Sequence, residues 1–228
     1  MGYYPGKIND AYIKEYISNI VPDDSNAVIY ALEKYALEND IPIIEVEVKR
    51  MLEVLIKSSQ VKSILEVGTA IGYSSLIFAR AMNYEGYVKS YEIDKEMHQL
   101  AQKNHERFKN QYGIYLNIDL ILSDAKTSLE KDEELYDMVF IDAAKAHYQK
   151  FYDQITDNLK EGSIIVSDNV LFKGMIATDE YVKKRKITIV KRMRKYLDFL
   201  MTHENLTTTV IPIGDGVAIS YYDGGKNE

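Results

Sequence analysis

The chain has 228 residues, a net charge of −7, 46% hydrophobic residues and no cysteine. A chain this apolar can offset its ordering entropy by burial, which excludes general disorder. The absent thiols exclude a disulfide scaffold, a thiolate zinc site and a cysteine nucleophile.

Residues 1–10 (MGYYPGKIND) hold no apolar core of signal-peptide length, and Gly6 stands where a myristoylation motif wants Ser or Thr. No apolar run approaches the ~18 residues that span a bilayer, so a cytoplasmic chain is expected. Residues 11–21, 25–39 and 44–57 carry apolar side chains at helical spacing, with Pro22 and Pro42 at the breaks. Asp23, Asp24 and Ser25 offer capping oxygens to the second helix. Beyond Val61, short apolar strands alternate with helical stretches. Strands are predicted at 63–67, 87–91, 116–122, 138–141 and 163–166, with helices over 72–82 and 95–108 and from about Ala125. This alternation predicts βαβ units and a parallel sheet. The segments 207–212 and 217–222, joined by Gly214-Asp215-Gly216, read as a hairpin, so the last strand runs antiparallel. The expected fold is a single Rossmann-like α/β domain over 1–228. It has a seven-stranded, mostly parallel sheet with helices on both faces, and residues 1–60 form a helical extension or lid on a 61–228 core.

The stretch Ile64-Leu65-Glu66-Val67-Gly68-Thr69-Ala70-Ile71-Gly72-Tyr73-Ser74-Ser75 ends a strand in a glycine turn that opens a helix. Such a turn lets a ligand approach the backbone and offers helix N–H groups, or it is simply a tight turn. Ala70 replaces the middle glycine of a dinucleotide motif, and Glu66 would repel phosphate while suiting an ammonium group. Glu92, 24 residues after Gly68, ends the second strand, where a carboxylate can hold both ribose hydroxyls. Asp124 ends the third strand and is expected beside an adenine ring. An adenosine carrying an ammonium and no phosphate fits this set, and S-adenosylmethionine is such a molecule. Asp94 follows Glu92 without an assigned role.

Asp142, at the end of the fourth strand, and Asp168 with Asn169, at the end of the fifth, are hard oxygen donors suited to Mg²⁺ or Mn²⁺. Read singly, each Asp is as readily a helix cap. Lys145 lies three residues past Asp142, where a neighbouring metal and sulfonium would disfavour its ammonium form, as suits a base; otherwise it is a solvated helix residue. His98 and His105 read as surface residues of a polar helix, His147 lies close enough to the proposed site to touch substrate, and Ser74 lacks the partners of a hydrolase triad. The run from Lys183 to Lys195 (KKRKITIVKRMRK) has eight basic residues and no acidic one. It is either a solvated helix face or a local polyanion site, against a net negative charge that argues against indiscriminate nucleic-acid binding.

LEVGTAIGYSS and the strand-end residues resemble the class I, cation-dependent O-methyltransferases that include the catechol and caffeoyl-CoA enzymes, over roughly residues 40–222. The resemblance implies that Ile44, Glu66, Gly68, Ser74, Glu92, Asp124, Ala125 and Asp142 contact S-adenosylmethionine. It also implies that Asp142, Asp168 and Asn169 bind Mg²⁺ and that Lys145, with Asp142, is catalytic. The segments IPIIE (41–45), DNVLFKG (168–174) and IPIGDGVAIS (211–220), with the basic run, are most similar to the bacterial tRNA 5-hydroxyuridine O-methyltransferases. They imply tRNA as a partner gripped through Lys183–Lys195, with Lys173 guarding the entrance. A small catechol or phenol is the alternative acceptor. A non-catalytic cofactor-binding module is disfavoured, because binding alone needs neither Lys145 nor the donor set. The helical N-terminus resembles the family's dimerisation region, implying a homodimer.

Overall fold

The computed structural model describes residues 10–225; the readings made on residues 1–9, Gly6 included, lie outside them. The described chain forms two compact units. One is Tyr16–Ser128. The other joins the described residues before Tyr16 to those after Ser128.

Helix α1 (Ala11–Ile20) has no buried residue. In the first unit, α2 (Ala27–Glu38) and α3 (Val46–Ser58) precede β1 (Ser63–Val67), α4 (Tyr73–Ala81), β2 (Tyr87–Glu92), α5 (Lys95–Tyr112), β3 (Ile118–Leu122) and α6 (Ala125–Ser128). Asn26, rather than Asp23, Asp24 or Ser25, caps α2, its side chain accepting from Val28 N and Ile29 N. Asp24 is drawn away by longer-range partners, Arg80 among them. β1 pairs in parallel with β2, and β2 with β3. Apolar side chains on β1 and α4, Ile64, Leu65, Ile77 and Phe78 among them, are fully buried.

The second unit contains β4 (Tyr136–Ile141), α7 (Tyr148–Ile155), β5 (Leu159–Ser167), α8 (Ile187–Thr202), β6 (Leu206–Ile211) and β7 (Val217–Tyr222). β4 and β5 are parallel, and β7 lies between β5 and β6, antiparallel to both. The β4–β5 register slips between Tyr136 and Met138, which face Leu159 and Ile164. The polar LKEG start of β5 makes this strand longer than its apolar SIIV segment predicts. Beyond the slip, Ile141 stands opposite Ser167, so the next residues, Asp142 and Asp168, leave the sheet side by side. Buried tyrosines fill this unit, each needing a partner for its hydroxyl. Tyr148 donates to the Asp168 carbonyl at 2.9 Å, and the Tyr196 and Ser167 hydroxyls lie 2.7 Å apart. Among the described residues no helix is long and apolar enough to cross a membrane.

Candidate active site

The first unit brings the residues read as the cofactor-binding set to the ends of its parallel strands. Gly68 N and Thr69 N donate to the Tyr91 carbonyl, fastening the β1 turn to the end of β2. Gly72 is left-handed (φ +79°) at the N-cap of α4, and a Cβ there would lie 2.7 Å from His105 Nε2, so no other residue fits. Glu92 is nearly buried. Its Oε2 accepts from Ala70 N and its Oε1 from Asp94 N, each at 2.8 Å. Each oxygen retains a second lone pair, so the carboxylate is oriented and still able to accept from two ribose hydroxyls. Asp94 caps α5, accepting from Glu96 N and Met97 N, which gives this residue its role.

The register sets Glu66 opposite Ser90, and its two oxygens accept from the Ser74 and Ser90 hydroxyls in a fully buried position. It thereby orients Ser74 at the start of α4. Asp124 accepts from Lys126 N at 3.0 Å and pairs with Lys126 Nζ at 3.1 Å, while Ala125 is buried at the start of α6. Ile44 is buried just before α3.

The second unit holds the oxygen-donor set. Asn169 Nδ2 donates to Asp142 Oδ1 at 3.0 Å, and Asn169 N donates to Asp168 Oδ1 at 2.7 Å. With Nδ2 engaged, the amide oxygen is the donor left to a cation. Asn169 is left-handed (φ +58°), a conformation Asn accepts better than most residues. Burial raises the pKa of Asp142, and Lys145 and the Asn169 amide offset only part of that. A carboxylate short of positive charge, a second carboxylate and an amide oxygen fit a hard divalent cation. Among the described residues no group of three or more His, Cys, Asp or Glu could hold a metal, so two carboxylates and the amide would have to do so.

Lys145 opens a 3-10 turn (Lys145–His147). Its Nζ lies 5.8 Å from the centroid of the Phe172 ring, which Lys186 approaches to 5.7 Å. The loop bearing Phe172 is strapped to the β6–β7 turn. Val170 N donates to the Gly216 carbonyl, Leu171 N to the Asp215 carbonyl, and Lys173 N to the Asp215 carboxylate. A Cβ on Gly216 (φ +86°) would fall 2.3 Å from Leu171 Cγ, so the strap requires glycine there. Lys173 is thereby fixed at its backbone in a left-handed conformation (φ +57°).

The histidine reading needs correction. His98 and His105 are buried, forming one face of α5 with Ala101 and Phe108, and this spacing of three, four and three was visible in the sequence. His147 is half-buried, edge-on to Phe151 at 6.3 Å. Ser74 bonds to Glu66, and it is the neighbouring Ser75 that meets a histidine, so no hydrolase triad forms around Ser74. Of the eight basic residues between Lys183 and Lys195, six are exposed; Lys186 is half-buried, and Arg194 is spent on Asp179 and on the carbonyls of Ile176 and Met175.

Comparison with known proteins places this geometry. A catechol O-methyltransferase of Niastella koreensis is 27% identical over 214 residues, 93% of each chain. A Staphylococcus aureus structure assigned to the caffeoyl-CoA O-methyltransferases is 33% identical, with a TM-score of 0.83 over 92% of this chain and 99% of that one. An O-methyltransferase of Bacillus cereus in complex with S-adenosylhomocysteine (SAH) shares the fold at 22% identity and TM-score 0.78, covering 92% and 97%. These likenesses show the expected Rossmann-like α/β fold; the described residues form seven strands, and β7 runs antiparallel to its neighbours β5 and β6. The family model for O-methyltransferases matches residues 20–221, and the chain belongs to that family.

Proposed function

We propose that this O-methyltransferase uses S-adenosylmethionine to methylate one oxygen of an adjacent oxygen pair on a small catechol, or on a phenol with a neighbouring oxygen substituent, with Mg²⁺ or Mn²⁺ as its cation. The observation that carries the reading is the Asp142–Asn169–Asp168 set, which gathers two carboxylates and an amide oxygen, the hard donors suited to a cation that an oxygen pair can share. The names of its relatives support the same reading, since they are catechol and caffeoyl-CoA O-methyltransferases. In this reading Gly68, Ser74, Glu92, Asp124, Ala125 and Ile44 hold the cofactor, with Glu92 on the ribose. Asp142, Asp168 and Asn169 hold the cation, which when bound lowers the pKa of the acceptor hydroxyl. Asn169 keeps Asp142 oriented through its 3.0 Å bond. Lys145 would accept the hydroxyl proton at Nζ, and S-adenosylmethionine, when bound, would supply the methyl group to the resulting oxyanion.

A second reading takes 5-hydroxyuridine in tRNA as acceptor, because its hydroxyl and C4 carbonyl form the same kind of oxygen pair. It is favoured by the exposure of Lys183, Lys184, Arg185, Lys191, Arg192 and Lys195, suited to phosphates. A homodimer belongs to the proposal too, and the exposed Tyr12, Tyr16 and Ile20 of α1 are the kind of surface it would cover.

The test is methyl transfer to catechol with S-adenosylmethionine and Mg²⁺. Asp142→Ala and Asp168→Ala should each lower turnover by about 100-fold or more, and excess EDTA should do the same to the parent. Full activity of the parent in EDTA would refute the cation.

A further inference from the structure

The turn at residues 68–72 is held from behind by α5. Asn104 Nδ2 donates to the Ile71 carbonyl at 2.9 Å, and His105 Nε2 lies 3.0 Å from the Gly72 carbonyl. Ser75 Oγ donates to the same carbonyl at 3.1 Å and lies 3.0 Å from His105 Nε2. A carbonyl only accepts, so Nε2 must carry the hydrogen. The ring also packs so closely on Gly72 that a Cβ there would collide with it.

From these contacts we infer that His105, with Asn104 beside it, is a positioning residue for the cofactor, fixing the peptide planes on which the turn meets its ligand. This rests on reading the turn as the S-adenosylmethionine loop. The peptide between Gly72 and Tyr73 is planar and trans, so drawing the carbonyl toward α5 turns the Tyr73 N–H the opposite way. That N–H belongs to the first turn of α4, where unpaired donors favour an anionic group such as the cofactor carboxylate. Burial lowers the His105 pKa to about 4, with the Gly72 bond opposing the shift in part. The ring is thus a neutral donor, adding no positive charge beneath a loop that receives a sulfonium and an ammonium.

Two variants separate the donor from the bulk. His105→Leu removes the N–H, whereas His105→Gln keeps one on a side chain of similar reach. SAH affinity is measured by calorimetry, amide hydrogen exchange at Ile71–Tyr73 by NMR, and turnover at saturating S-adenosylmethionine. His105→Leu should weaken SAH binding about tenfold and speed exchange at Tyr73, with kcat within about threefold of the parent. His105→Gln should recover most of both losses. Should His105→Leu fail to fold, Asn104→Leu should show the same losses in smaller measure. Parent-like binding and exchange in the leucine variants would overturn the inference, as would a His105→Gln as impaired as His105→Leu. If the parent binds no SAH while exchange still speeds in His105→Leu and recovers in His105→Gln, the tie to the turn stands and the cofactor reading falls.

Discussion

His105 makes folding sensitive to pH through a single ring. Its folded value of about 4 lies below the ordinary 6.5, so between these values the unfolded chain binds a proton that the folded chain does not. Stability from this group is therefore complete above pH 6.5 and is lost as the pH falls toward 4. From pH 7.5 to 5.5 the loss should be about 1.4 kcal/mol. Urea unfolding of the parent and of His105→Gln at both pH values checks this: the glutamine variant should lose that much less, and equal losses would mean the ring is protonated in the fold. At this scale Asp142, Asp168, Asn169, Lys145 and Glu92 were legible because each ends or follows an apolar strand. His105 was misread because imidazoles stand where a helix usually buries aliphatic side chains. Glu66 was seen as an acid beside a ligand loop, but a linear reading could not pair it with Ser90 across the sheet.

Between elements, α2, α3 and α4 are joined by a mostly buried ionic network. Arg80 on α4 binds Asp24 through two bonds of 2.7 and 2.9 Å and Glu53 on α3 at 2.7 Å. Lys49 reaches Glu33 at 2.7 Å, and the Tyr73 hydroxyl donates to the same Glu33 oxygen at 2.5 Å. Burial pushes the Asp24 pKa up, but Arg80 and the Asn26 N–H, with help from Lys49, outweigh it and leave the carboxyl below its usual range. Removing one partner strands buried charge, so Arg80→Met should cost about 3–5 kcal/mol in urea unfolding. Adding Asp24→Asn should recover part of that loss, and additive costs would show that the two groups are not coupled. None of this could be read from the chain, because Asp24 and Arg80 stand 56 residues apart. The first three helices were legible from apolar spacing and β1, β2 and the hairpin from their apolar runs. Helix α7 was not anticipated, and α8 registered chiefly as a run of charge.

Charge divides the acceptor readings at the scale of the whole molecule. The chain carries 35 acidic against 28 basic side chains, yet six exposed cations stand between Lys183 and Lys195. If that run grips phosphates, replacing the exposed Lys183, Lys184 and Arg185 with Gln should raise the KM for tRNA and leave catechol turnover unchanged. Each lost contact should flatten the log–log salt dependence by roughly 0.7–0.9. A triple variant that methylates tRNA like the parent at every salt concentration would leave the small-acceptor reading alone. The strand order has a different consequence, for biosynthesis. β7 lies between β5 and β6 but is made after both. Until Val217–Tyr222 has left the ribosome, β6 lacks its neighbour and β5 keeps an open edge, so a nascent chain paused before Val217 exposes two strands to chaperones or to other nascent chains.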